Sequence, residues 1–212
     1  MSVESNIAGL QTEGNRMQDT QSKTGTFGCD GNTIRLRSGR YLDLADPQPD
    51  QFTFADIAGG LSKICRFGGQ VNRFYSVAEH CWHCCELAKA DGQCLDTQIA
   101  VLMHDAAEAF IGDCVKPLKI MLPDYAVVER RVEAAIAEKF LIDFDREWAY
   151  IREVDHAVLI GERKKLFSRD DVKWIGEDDV RRVDLAVKLW IPETAESQFT
   201  RLARSIGIDI KD

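Results

Sequence analysis

The sequence predicts an all-α protein, a helical bundle with a short β-hairpin near its N-terminus. Three observations support this prediction. Apolar residues recur at helical spacing from Thr53 onward. Residues 34–44 alternate between apolar and polar across a Ser-Gly pair, which is a hairpin signal. The chain has 212 residues, of which 45% are hydrophobic and 29% charged, as in an ordinary globular domain. We therefore expect a flexible polar arm over 1–30 and a single domain over 31–212.

The helices are predicted from their caps and their apolar stripes. The first begins after Thr53, which imitates a capping box with Asp56. Ser76 and Glu79 form the capping box of the second helix, which a following Asp-Gly pair ends. Four more helices are expected: from about 97 to 110, ending at Gly112; from near Pro123 to about Phe140; after Asp145 to about Leu166; and after Pro192 to Gly207. The charged stretch 170–191 receives no assignment.

Charge and composition limit the partners. The net charge is −8 and the pI is about 5.1, so the chain lacks the broad basic surface that nucleic-acid binding requires. A small anionic ligand is still compatible with this charge, because a metal ion and a few cations reverse the field locally. No apolar run approaches the roughly 20 residues that span a bilayer, and residues 1–20 lack the apolar core of a signal peptide. We expect a cytoplasmic protein without a membrane partner, whose seven cysteines are buried apolar residues rather than disulfides.

The segment HDAAEAFIGD (104–113) holds the strongest chemical signal. His104 and Asp105 are adjacent, and Glu108 follows His104 by one helical turn on the same face. Asp113 comes directly after Gly112, where the helix should end. Polar groups thus converge at the end of an apolar helix, which is the setting of a buried metal site.

Two further residues complete a ligand set. His80 on the preceding helix can supply a third ligand, and Asp155 on the fifth helix a fourth. Imidazole and carboxylate together suit Mn²⁺, Co²⁺, Fe²⁺, Ni²⁺ or Zn²⁺, and Mg²⁺ is retained as a further candidate. Four ligands from three helices leave coordination positions open, as in catalytic metal sites.

Three motifs resemble those of the HD-domain phosphohydrolases: AEH (78–80), HDAAEAFIGD (104–113) and VDHAVLIGE (154–162). Residues 56–80 are similar to the segment ahead of the first metal histidine in the branch of bacterial 5′-deoxynucleotidases and phage and bacterial dATP triphosphohydrolases. The resemblance covers roughly 35–206. It implies an HD-domain helical bundle that removes 5′-phosphates from small nucleotides with a divalent metal ion, and we expect a homo-oligomer.

The resemblance also implies roles for single residues. The positions that match its metal ligands are His80, His104, Asp105 and Asp155. The positions that match its catalytic acids are Glu108, which handles the attacking water, and Asp113, near the leaving oxygen. The expected substrate contacts are the Arg66-Phe67 pair, which holds phosphate and nucleoside, with Lys116 and Glu162. Alternatively, Lys116 is a solvated loop lysine and Glu162 supports the bundle.

Departures from neighbouring families narrow the function. Ala109 follows Glu108, where the (p)ppGpp hydrolase domains have Asp, and the extra histidines of multi-metal phosphodiesterases are missing, so one metal is favoured. Two alternatives stay open. One is an HD-fold nucleotide sensor without turnover. The other is a structural zinc site, a helical zinc-binding module built from Cys81, Cys84, Cys85, His80 and His83. Mono- and triphosphate substrates also remain alternatives.

Overall fold

The computed structural model describes residues 31–167 and 172–211. It is mostly helical, as predicted, and the predicted hairpin is confirmed: β1 (Thr33–Arg35) pairs antiparallel with β2 (Tyr41–Asp43). The helices are α1 (Phe54–Leu61), α2 (Val77–Ala90), α3 (Leu95–Met103), α4 (Glu108–Ile111), α5 (Lys116–Met121), α6 (Pro123–Phe140), α7 (Phe144–Leu166) and α8 (Pro192–Ser205). The predicted arm 1–30 lies outside the described residues. No helix within them combines the length and the apolar character needed to cross a bilayer.

Side-chain caps set the starts of the main helices. Thr53 Oγ1 accepts the N–H of Asp56 at 2.9 Å ahead of α1, and Ser76 Oγ accepts the N–H of Glu79 at 3.1 Å ahead of α2. Both predicted N-termini are therefore confirmed. α7 begins earlier than predicted, because Asp143 rather than Asp145 caps it through the N–H of Arg146.

The core lies around α2, which packs against α1, α3, α7 and α8. Cys81, Cys84 and Cys85 are fully buried on it, as predicted for small apolar side chains. The same prediction is wrong for Cys94, which is exposed ahead of α3. Because α2 is packed on several sides, a side chain such as His80 on this helix is held away from water.

The predicted helix over 97–110 is in fact two helices. α3 ends at Met103, and the next residues form tight turns whose amides bond three residues back: Ala106 N–H donates to Met103 O at 2.9 Å, and Glu108 N–H to Asp105 O at 3.0 Å. His104 Nδ1 lies 2.8 Å from Val101 O, the carbonyl that the Asp105 amide would need in a continuous α-helix. The side chain therefore competes with the backbone and ends α3 at the site.

The stretch that the sequence left unassigned forms neither helix nor strand over 172–191. It is attached to α2 by one fully buried carboxylate. Glu79 accepts the backbone N–H groups of Lys188, Leu189 and Trp190 at 2.6, 3.0 and 2.8 Å. This side chain thus replaces the hydrogen bonds that regular secondary structure would supply.

Candidate metal centre

The three helices α2, α3 and α7 bring four predicted ligands together. The Nε2 atom of His80 lies 3.4 Å from Nε2 of His104. It lies 3.6 Å from Oδ2 of Asp105 and 3.2 Å from Oδ1 of Asp155. Oδ2 of Asp105 is also 3.3 Å from Nε2 of His104. His80, His104 and Asp105 thus lie within 3.6 Å of one another, and Asp155 lies beside His80.

These separations fit a divalent metal ion. Ligand atoms about 2.1 Å from one ion stand about 3.0 to 3.4 Å apart in octahedral or tetrahedral geometry, close to the distances found here. Cysteines also reach the centre: His80, Cys84 and His104, and likewise Cys81, His104 and Asp105, place ligand atoms within 4.8 Å of one another. Burial raises the pKa of Cys84 to about 11, so its thiol is protonated at neutral pH in the metal-free protein.

Glu162 contacts His80 at Nδ1, the ring nitrogen on the far side from His104. Its Oε1 is 2.6 Å from His80 Nδ1 and accepts the hydroxyl of Tyr75 at 2.8 Å, while its Oε2 is 3.3 Å from Arg66 Nε. Burial alone would raise the pKa of Glu162, but Arg66, His80 and Tyr75 lower it to about 2. Glu162 is fully buried, and this position favours the supporting role over a substrate contact. No local signal predicts a role for Tyr75, because its partner lies 87 residues away in the chain.

The two histidines are oriented for binding through Nε2. On His80, Nδ1 faces the Glu162 carboxylate, with Oε1 at 2.6 Å. On His104, Nδ1 faces Val101 O at 2.8 Å. A ring that donates from Nδ1 keeps the Nε2 lone pair for a ligand. The surroundings thus aim both Nε2 atoms at the same point.

The predicted Arg66-Phe67 pair lies beside this centre. Arg66 is buried, and its Nη1 is 3.4 Å from Asp105 Oδ2. Phe67 has a positive φ of 59°, which an L-residue rarely adopts, and its N–H donates to Asp113 Oδ2 at 3.2 Å. Its ring packs edge-on against Phe167. The hydrogen bond from the Phe67 amide thus connects the Arg66-Phe67 pair to the predicted catalytic acid Asp113, and Phe67 adopts a strained backbone conformation where it forms.

A cavity of about 190 Å³ opens onto the centre and includes His104, Asp105, Asp155 and Glu108 in its walls. Oε2 of Glu108 is buried without a hydrogen-bond partner among the described residues. Burial, together with the charges of Asp105 and Asp113, raises the pKa of Glu108 well above its ordinary value. Burial raises the pKa of Asp113 as well, and the nearby Asp105 adds to this effect. Two acids with raised pKa values thus lie close to the four ligand atoms.

The lysine in the cavity lining is not the predicted one. Lys116 is exposed at the start of α5 and is not part of the lining. Lys119, one turn later, lines the cavity and pairs with Glu129 at 2.5 Å. Glu133 lines it next to them, and burial together with Glu129 raises its pKa to about 7. The sequence missed these three residues because nothing local shows which face of α5 or α6 meets the cavity.

The residues proposed for a structural zinc site do not all face the centre. His83 Nε2 is 3.6 Å from Glu79 Oε1, and the His83 ring packs edge-on against Trp82. The thiol of Cys85 donates to Gln98 O at 3.5 Å. Only Cys81 and Cys84 of the predicted cysteines approach His80 and His104. A closed four-ligand site built on His83 and Cys85 is therefore not supported.

Fold and site together define a mostly helical protein with a candidate metal centre. The chain matches no protein-family model. It is similar to "Uncharacterized protein YfdR" of Escherichia coli (strain K12), with 39% identity over 107 residues, which are 50% of this chain and 57% of that protein. It is also similar to "Uncharacterized protein RCAP_rcc00048" of Rhodobacter capsulatus, with 40% identity over 111 residues and the same coverage. The matched region thus spans little more than half the length of either relative.

Proposed function

We propose that this protein is a metal-dependent nucleotide phosphohydrolase of the HD-domain type that removes 5′-phosphates from deoxynucleotides. One observation supports this most strongly: two imidazoles and two carboxylates cluster around His80, beside a cavity whose lining includes Glu108, and Oε2 of Glu108 has no hydrogen-bond partner among the described residues. The motif resemblance supplies the nucleotide class and the preference for deoxyribose. The assignment to the HD-domain type also rests on this resemblance. The cytoplasmic location and the homo-oligomeric state remain predictions.

The metal ligands in this proposal are His80, His104, Asp105 and Asp155. His80 lies on α2 and Asp155 on α7, His104 and Asp105 lie in the turns that follow α3, and the adjoining cavity leaves room for water and a phosphate oxygen. When bound there, a divalent ion would supply Lewis acidity toward phosphoryl oxygens and would activate water.

The chain's own residues account for the proton transfers. Oε2 of Glu108 is buried, lies in the cavity lining and has no hydrogen-bond partner among the described residues, so it is placed to accept the proton of the attacking water. The raised pKa of Asp113 keeps a proton on this acid more readily for the leaving 5′-oxygen. The buried guanidinium of Arg66, next to Asp105, offsets phosphate charge.

A substrate screen tests the proposal. The purified full chain is stripped with a chelator, reloaded separately with Mn²⁺, Co²⁺ and Mg²⁺, and given nucleoside mono- and triphosphates, with products read by chromatography. We expect hydrolysis in the wild type and in a control, Asp179→Ala, which removes an exposed carboxylate. Asp105→Ala should lose bound metal and activity but stay helical.

Each other outcome favours one alternative. Full activity in Asp105→Ala would contradict the ligand set. Nucleotide binding by the metal-loaded wild type without any product would favour the sensor. Metal content that persists in Asp105→Ala but is lost when Cys81 and Cys84 are both changed to Ser would favour structural zinc.

A further inference from the structure

The cavity has an outer part that the proposed reaction does not use. Trp148 on α7 lies in its lining, yet 57% of this residue is exposed. The guanidinium of Arg152 lies 5.9 Å from the Trp148 ring centroid. Phe144 and Ile151 from the same helix add apolar surface. A large aromatic ring thus stays exposed at the edge of the cavity, which is unusual for tryptophan.

One carboxylate in this outer part has no partner. Lys119 is already paired with Glu129. Glu133, in the same lining, forms no hydrogen bond or ion pair with any residue that the structure describes. The Glu133 carboxylate is therefore available to accept a hydrogen bond from a ligand in the cavity.

We propose that Trp148, Arg152 and Glu133, called here the Trp148 wall, bind the nucleoside end of a nucleotide whose phosphate lies at the candidate metal centre. This inference rests on the proposed function. A cavity of about 190 Å³ is smaller than the roughly 300 Å³ of typical ligand pockets, so it encloses only the phosphate end. The base then lies at the cavity edge and stacks on the Trp148 ring, while Glu133 accepts a hydrogen bond from the nucleoside.

Binding measurements test the Trp148 wall. The full metal-loaded chain carries Glu108→Gln to suppress turnover, and calorimetry gives Kd for two probes: deoxyadenosine monophosphate and ribose 5-phosphate, which has no base. Adding Trp148→Ala should weaken binding of deoxyadenosine monophosphate by about 5-fold to 150-fold, the value of one stacked base. Binding of ribose 5-phosphate should not change. Trp148→Phe should restore most of the affinity, and Tyr41→Ala, which removes an exposed ring on β2, should have no effect.

A second variant locates the hydrogen bond. Glu133→Ala should weaken binding of deoxyadenosine monophosphate. If ribose 5-phosphate is unaffected, the donor is on the base, and if it weakens too, the donor is on the sugar. Unchanged binding of both probes would remove Glu133 from the Trp148 wall.

The failures of the two proposals can be told apart. A Trp148→Ala chain that keeps the wild-type ratio of the two dissociation constants overturns the Trp148 wall, even if the enzyme hydrolyses nucleotides. Trp148-dependent binding in a wild-type chain that releases no phosphate overturns the proposed function and leaves the Trp148 wall standing. A metal-loaded chain that binds neither probe overturns both.

Discussion

Replacing Glu162 by Gln tests whether one buried carboxylate holds the candidate metal centre together. Glutamine keeps the size of the side chain and still accepts the hydroxyl of Tyr75, which lies 2.8 Å from Oε1. It removes the negative charge that faces Arg66 Nε at 3.3 Å and His80 Nδ1 at 2.6 Å. We expect both a less stable fold and weaker metal binding, because His80 loses the group that orients it.

The loss of stability is about 3 kcal/mol. Removing one partner of a buried ion pair costs about 3 to 5 kcal/mol, and a substitution that conserves shape belongs at the lower end. The pKa of Glu162 is lowered from 4.5 to about 2, since Arg66, His80 and Tyr75 outweigh the opposing effect of burial. At about 1.4 kcal/mol for each pKa unit, that difference also corresponds to about 3 kcal/mol.

The pH dependence identifies the charge as the cause. Because the pKa of Glu162 is lower in the folded state, its stabilising effect is complete above the ordinary pKa of 4.5 and is lost as the pH falls through about 2. Urea unfolding of chelated wild type and variant should therefore differ by about 3 kcal/mol at pH 7 and by less than half of that at pH 3. Metal affinity, measured by calorimetry, should fall about 10-fold to 100-fold.

Two controls separate charge from packing. Tyr75→Phe removes the hydroxyl but keeps the carboxylate, so it should cost about 1.5 to 3 kcal/mol with a much weaker pH dependence. Glu138→Gln alters an exposed carboxylate on α6 and should leave stability unchanged. The reasoning is refuted if Glu162→Gln unfolds at the wild-type urea concentration at pH 7, or if its deficit is the same at pH 3.

Other residues around the centre should respond in different ways. Glu108→Gln should keep its metal but lower kcat by about 10²-fold to 10⁴-fold, as steady-state kinetics and metal analysis would show; loss of metal would instead make Glu108 a ligand. Burial, with Glu129, raises the pKa of Glu133 to about 7, so its ionisation destabilises the fold as the pH rises through that value. Glu133→Gln should match the wild type at pH 4 and exceed it by about 1 to 3 kcal/mol at pH 8 in urea unfolding of chelated protein, and a gap independent of pH would contradict this. A Cβ on Gly60 would lie 2.8 Å from both Cβ and O of Ala109, so Gly60→Ala should cost about 1 to 3 kcal/mol; an unchanged Tm would speak against this close packing of α1 on α4.

Local signals in the sequence predicted most of the fold. The caps at Thr53 and Ser76 were found because a capping side chain and its amide partner lie three residues apart. The end of α3 was missed because the apolar pattern continues through it, while the side chain of His104 takes the Val101 carbonyl. The short α5 was missed as well, because its apolar residues Ile120 and Met121 are exposed and show no buried stripe.

The same distinction between local and long-range signals applies to the candidate site. The motifs contain the four candidate ligands, which lie near one another in the structure, and each motif is a short run of sequence. The residues that orient the candidate ligands and the residues that line the cavity are brought there by long-range packing. Tyr75 acts on Glu162 across 87 residues, and only the orientation of α5 distinguishes Lys119 from the predicted Lys116. Residue types in the sequence indicate the chemistry of the site, but tertiary contacts decide which neighbours orient its side chains and shift their pKa values.

The attachment of 172–191 through Glu79 has a consequence for hydrogen exchange. Amides outside helices and strands normally exchange quickly with solvent, yet those of Lys188, Leu189 and Trp190 are held by one buried carboxylate. They exchange only when their hydrogen bonds to Glu79 break, so we expect their protection to depend on the local stability of α2, which carries this side chain. His80 is the next residue on that helix. A ligand that stabilises α2 should therefore slow hydrogen exchange at these three amides, which lie 109 to 111 residues after Glu79 in the sequence.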